Sequence, residues 1–294
     1  MKHWVIILGC LMLGQLALAD DDFSKETIKV TRLTSSMYML EGAGGNMTAS
    51  IGSDGTLLVD CDFAEMSEKL LAKLKELGGA SPRFIINTHF HYDHTGANQI
   101  FGKTATIIAT TESRTRLMTE QVLWHRSHPA YPNEGLPILT FDNAISLHLN
   151  DGDVEVVHYP GGHTDGDSVV FFGKENVVSL GDLYFAGMYP IFHPEHLGTL
   201  AGYLRTLRQI LKRLPDDAQI VPGHGTLSDK AALERYKKMI EASIAVVIEG
   251  RKMKLTLEQI QEKGLPREWE PFSHGYRTTA QWLEVVYKSL KDVK

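Results

Sequence analysis

Six residues constrain this chain more than any other stretch: His89-Phe90-His91-Tyr92-Asp93-His94, set directly after the buried-looking strand Arg83–Thr88. In a strand that runs into a tight turn, alternate residues share a face, so His89 and His91 can reach one metal ion. Asp93 and His94 fall just past the turn and can serve a second. Three outlying positions match in kind. His163 sits in the glycine-containing loop Pro160–Ser168, between two strand-like runs. The strand beginning at Val178 ends in Asp182, and the one ending at Val221 leads to His224, flanked by Gly223 and Gly225. Each of these is an ordinary turn residue by itself. With the first cluster they require a sheet scaffold whose strand ends converge on one site.

Composition limits the donors. The 294 residues hold 13 histidines and 2 cysteines. A four-thiolate zinc site is excluded, so a metal here is held by imidazole and carboxylate. The formal charge of −6, without a basic run, argues against a nucleic-acid surface. At the N-terminus, Lys2 precedes an apolar run from Trp4 to Leu16, then Ala17-Leu18-Ala19 and three aspartates. This pattern reads as a signal peptide over residues 1–19, cleaved after Ala19. The apolar run is shorter than the roughly 20 residues a spanning helix needs. Lipoprotein processing at Cys10 fits less well, because Leu8 suits it poorly and apolar residues continue beyond it. The chain is expected to be exported to the periplasm with no membrane attachment after cleavage. Cys61 is then its one cysteine, so no intramolecular disulfide forms.

Strand-like runs over Ile28–Leu33, Met37–Glu41, Thr48–Ile51 and Thr56–Val59 are followed by a helix through Met66–Leu77 that Gly78 and Gly79 stop. Thr104–Ala109 reads as a strand, Thr110–Val122 as a helix, and Trp124–Pro137 as an irregular loop. The order then repeats: strands at Ile145–Leu149, Val154–Tyr159, Ser168–Phe172 and Val177–Leu180, a helix at Leu200–Leu214, a strand at Gln219–Val221, and a helix at Ser228–Glu249. Two sheets packed together with helices outside account for this order. One domain is expected over residues 20–250, with a helical extension over 251–294 packed on it. In that tail Trp269, Trp282 and Tyr287 read as core. Arg114 and Arg116 read as solvent-facing.

The residues His89-x-His91-x-Asp93-His94, His163, Asp182 and His224, in this order and spacing, resemble the metallo-β-lactamase superfamily from about Ile28 to Glu249. The resemblance implies an α+β fold, an αβ/βαα four-layer sandwich, with a dinuclear zinc site at one edge. It implies that His89, His91 and His163 hold one Zn2+ and that Asp93, His94 and His224 hold the other. Asp182 matches the position that bridges both ions in glyoxalase II-like members, where class B1 β-lactamases place a cysteine. Asp60 resembles the aspartate that orients a ligand imidazole from behind. Cys61 is out of pattern and reads as a packed thiol. The donor set also accommodates iron or manganese, but di-iron redox members usually show an acidic residue at the position of His91. The implied reaction is attack on a carbonyl by a bridging hydroxide that Asp93 orients.

No Gly-x-Ser-x-Gly motif is present. Gly42-Ala43-Gly44-Gly45 lacks the lysine and helix of a nucleotide loop, and reads as a mobile turn in a flap over the site. The substrate is a small molecule. A β-lactam-like cyclic amide leads, supported by export. Against it, Phe185 stands where class B1 enzymes place a lysine. A thioester or lactone of glyoxalase II type is the alternative, and an accessory role in a periplasmic redox system is a third. Tyr184, Phe185, Tyr189, Phe192, His193 and His196 are candidate pocket residues. His125, His128 and Tyr131 read instead as ordinary loop packing.

Overall fold

The computed structural model describes residues 22–123 and 126–290. The expected leader, with Trp124 and His125, lies outside them.

The first sheet begins as an antiparallel meander of β1 (Lys29–Arg32), β2 (Met37–Glu41), β3 (Asn46–Gly52) and β4 (Gly55–Val59). Along β4, Leu57 and Val59 face one side and Leu58 the other, so both faces are apolar and both need cover. Helix α1 (Ser67–Glu76) covers one face with Leu70 and Leu74, and stops at the expected glycines. The chain returns as β5 (Pro82–Ile86), parallel to β4. Two short turns, α2 (Tyr92–Thr95) and α3 (Asn98–Phe101), lead to β6 (Thr106–Thr110), again parallel.

Helix α4 (Thr111–Leu117) is shorter than the expected helix over Thr110–Val122. The Gln121 side-chain amide donates to the carbonyl of Arg116, 3.0 Å away, and so satisfies a helix-end acceptor. From there the chain forms a hairpin of β7 (Gln121–Leu123), which begins inside the expected helix, and β8 (Arg126–His128), where an irregular loop was expected. The last strand of the first sheet is β9 (Leu139–Phe141), parallel to β6 at the edge.

The second sheet has the order β10 (Ala144–Leu149), β11 (Gly152–His158), β12 (Ser168–Phe172), β13 (Val177–Ser179), β14 (Gln219–Val221) and β15 (Ser228–Asp229). Only the β13–β14 pair is parallel. Met37, Met39, Leu57, Val59, Ile86 and Ile108 of the first sheet face Val154, Val156, Val170, Phe172, Val177 and Val221 of the second. Each such side chain, fully buried, contributes about 1.5–3 kcal/mol. On the far side, α5 (Leu200–Arg213) and α6 (Lys230–Lys252) cover Val169, Val178 and Ile220. The layers therefore run helix, sheet, sheet, helix, as the sequence led one to expect.

Beyond α6 come α7 (Leu257–Lys263), a 3-10 run at Arg267–His274, and α8 (Thr279–Ser289). Trp269, Phe272, Trp282 and Leu283 join the same cluster as α5 and α6, and Trp282 Nε1 donates to Ser243 Oγ at 2.8 Å. Tyr287 packs against it partly buried. Helix α6 runs past residue 250, where the tail was expected to start. Among the described residues, no helix is long and apolar enough to cross a membrane.

The connections after β4, β5, β13 and β14 all open at one edge. Ser168 N donates to Thr88 O and Asn46 N to Gly223 O, each at 2.7 Å, which stitches the two sheets together there.

Candidate metal centre

All seven donors singled out in the sequence meet at that edge. His89, His91, His163 and Asp182 form one group and Asp93, His94 and His224 another, with the donor atoms of each group within 4.8 Å of one another. Asp182 joins them. Its Oδ2 lies 3.3 Å from His163 Nε2 and 3.8 Å from His89 Nε2. Its Oδ1 lies 3.1 Å from His94 Nε2 and 3.3 Å from His224 Nε2. One carboxylate thus presents one oxygen to each group.

A ring of partners behind the donors fixes how the imidazoles point. His94 Nδ1 meets Asp60 Oδ2 at 2.9 Å, and the same carboxylate accepts from Thr88 N and Thr88 Oγ1. His163 Nδ1 donates to Ile191 O at 2.8 Å. His224 Nδ1 lies 3.2 Å from the Tyr276 hydroxyl. In each case the outer nitrogen is engaged, which leaves Nε2 to face the centre. Asp60 takes the place expected of it, and Cys61 is the expected packed thiol, with Sγ 3.2 Å from Asn98 Oδ1.

The glycine turn is tied down, contrary to the mobile turn expected. Asp62 accepts from Ala43 N and Gly44 N, and Gly45 N donates to Asp93 O. The need for glycine is close approach: a Cβ on Gly45 would stand 2.1 Å from His94 Cε1. Gly223 is similar, since a Cβ there would stand 2.1 Å from Asp182 Oδ1. Burial of Asp62 pushes its carboxyl up to about 6.

The charges are arranged for a cation. Burial, with repulsion from neighbouring imidazoles, holds His89 and His91 well below the ordinary histidine range. Burial takes His163 down to about 4. At His94 and His224 burial is outweighed by Asp93 and Asp182, which raise His94 well above its usual value and His224 to about 9. Burial would also raise Asp93 and Asp182, but the surrounding imidazoles hold both ionised. The two carboxylates thus draw protons where cations would otherwise sit. His89 Nε2, His94 Nε2 and Asp182 Oδ1 are buried without a hydrogen bond. Such atoms cost about 1–3 kcal/mol each unless something binds them. The residues fit divalent ions, and an imidazole-rich set with two carboxylates suits zinc.

The centre floors a cavity of about 430 Å³. Phe185 and His193 line it as expected, and Phe185 stacks on His224 at 5.3 Å with 7° between the rings. The other expected pocket residues go elsewhere. Tyr184, Tyr189 and Phe192 are drawn into the core with α5 and the tail; Tyr189 stacks on Trp282 at 5.6 Å. His196 is buried against Phe90. Conversely, His128 lines the cavity and stacks on Tyr92 at 4.9 Å, where ordinary loop packing was expected. Arg116 is not free in solvent, since it pairs with Asp165 at 2.6 Å; Arg114 donates to Pro137 O. Sequence reasoning missed Tyr276, Phe63 and Ile191 as lining residues. Tyr276 reaches His224 from 52 positions away, with no local pattern to announce it.

The metallo-beta-lactamase superfamily profile matches residues 38–224. A type 2 metallo-beta-lactamase of Elizabethkingia meningoseptica is 24% identical over 254 residues, 81% of this chain and 93% of that protein. A hydroxyacylglutathione hydrolase of Pelagibacter ubique is 26% identical, over 70% of this chain and 74% of that protein. The structure of a metallo-beta-lactamase from Pontibacter korlensis superposes with a TM-score of 0.62 at 18% identity, covering 73% of this chain and 99% of that one. The profile spans more than half of the residues and takes in every donor described above. The chain belongs to the metallo-beta-lactamase superfamily of hydrolases.

Proposed function

We propose that this protein is a dinuclear zinc hydrolase that adds water across a carbonyl–heteroatom bond, with a β-lactam-type cyclic amide as its leading substrate class. The observation that carries the reading is Asp182, which turns one oxygen to each of two donor groups. His89, His91 and His163 would hold one ion, Asp93, His94 and His224 the other, with Asp182 between them. Two zinc ions so held supply Lewis acidity toward the carbonyl oxygen and toward water.

The protein's own groups do the rest. Asp93 Oδ2 is 3.2 Å from His224 Nε2, and its side chain is 28% exposed to the cavity. It is therefore placed to accept a hydrogen bond from the attacking water and to orient it. Asp60 and Ile191 O keep the His94 and His163 rings from turning. Phe63, Tyr92, Phe185 and Tyr276 give the cavity apolar walls that take the uncharged body of a substrate and exclude bulk water.

The cyclic-amide reading is supported by the lactamase relative that aligns along most of the chain, and by the export leader read from the sequence. Export to the periplasm is part of the same proposal. A thioester or lactone substrate is favoured by a separate observation. Phe185, stacked on His224, puts a ring at the position where class B1 enzymes place a lysine. Rates on nitrocefin, an acyl-homoserine lactone, a lactoylated thiol and a phosphodiester separate these classes. Turnover of nitrocefin above the thioester supports the first reading, the reverse order supports the second, and activity on the phosphodiester alone contradicts both.

A further inference from the structure

We propose that His193, Glu195 and His196 form an additional divalent-cation site of zinc type, beside the seven-residue centre and made of different donors. The segment His193-Pro194-Glu195-His196 closes into one 3-10 turn, with proline at its first position. That turn brings one donor atom from each of the three side chains within 4.8 Å of the others. The carboxylate is already engaged, with Glu195 Oε1 3.0 Å from His193 Nδ1.

His196 supplies the second argument. The residue is 6% exposed, yet its Nδ1 is buried with no hydrogen bond. A buried polar atom in that state calls for a partner. Two imidazoles and one carboxylate make a borderline-soft set, suited to zinc and poor for calcium or magnesium, which favour all-oxygen ligands. Three protein donors leave further positions to water, so the ion is held more weakly than at the main centre.

The location gives the site a consequence. The His193 ring lies 4.9 Å from His91 and 5.4 Å from His163, and His193 also lines the cavity. An ion on this triad fixes His193 in the cavity wall and places a positive charge next to the first donor group. Free zinc thereby stiffens that part of the pocket wall without displacing any of the seven donors.

Equilibrium dialysis of the full chain against rising free zinc, with metal counted per chain, tests the proposal. The wild type takes up one zinc more than Glu195→Gln or His196→Gln, as a last and weaker step. Removing even an outer partner of a ligand weakens a metal site about 10–100-fold, and loss of a ligand does at least that. The quantity read is the difference between wild type and variant. It is therefore the same whether or not the main centre binds two ions. Circular dichroism checks folding. Should His196→Gln fail to fold, Glu195→Gln decides alone, because its side chain is 59% exposed. Superimposable binding curves for wild type and folded variants overturn the site.

Discussion

At the scale of single residues, the centre divides into groups that face its interior and groups that hold them. Asp93 faces inward and is the more exposed of the two carboxylates that line the cavity, 28% against 5% for Asp182. Asp93→Ala should lower kcat/KM by about two orders of magnitude or more, the range for loss of a group that positions the reacting water. The circular dichroism spectrum should be unchanged. Asp60 belongs to the holding groups. Asp60→Ala leaves Thr88 and the His94 ring without their shared acceptor. It should weaken zinc binding about 10–100-fold, readable by competition with a chelator. The donors were legible in the sequence because each is a metal-binding residue type beside a strand end. Tyr276, Asp62 and His128 were not, because nothing local marks a residue whose role depends on a partner many positions away.

At the scale of elements, turns decide where the donors go. The Gly42–Gly45 turn packs its backbone onto the His94 ring, which Asp60 holds from the other side. Gly45→Ala therefore forces an overlap that the ring cannot swing away from. It should cost about 1–3 kcal/mol of stability, as overpacking does, and show as a lower thermal midpoint and weaker metal binding. Most strands matched their sequence pattern because alternation is a local signal. The stretch after α4 did not. Helix and strand patterns are hard to tell apart over so few residues, and pairing with Arg126–His128 settles it. Likewise the aromatic run after Asp182 looked like pocket wall. The core beneath α5, α6 and the tail competes for the same large side chains and takes Tyr184, Tyr189 and Phe192.

At the scale of the whole molecule, metal and fold are coupled. The two sheets meet at the centre, and buried imidazoles on both sides of that seam must stay uncharged to bind an ion. His163 is the clearest case. Unfolded, it gains a proton below about 6.5, whereas burial keeps the folded group neutral down to about 4. Its contribution is therefore present above pH 6.5 and lost as pH falls through that window. His89 and His91 are shifted in the same direction, whereas His94 and His224, raised by Asp93 and Asp182, act in the opposite sense. In the zinc-loaded protein, protons compete with the ion for the imidazoles, so metal and thermal stability should be lost together as pH falls, as followed by calorimetry with parallel metal analysis. At neutral pH, a chelator should lower the thermal midpoint, since an ion bound only to the folded state stabilises it by mass action.

Metal content shows whether Asp182 joins the two donor groups into one dinuclear centre. After dialysis removes weakly held ions, the purified protein should retain two zinc equivalents per chain. A value near zero would rule that centre out.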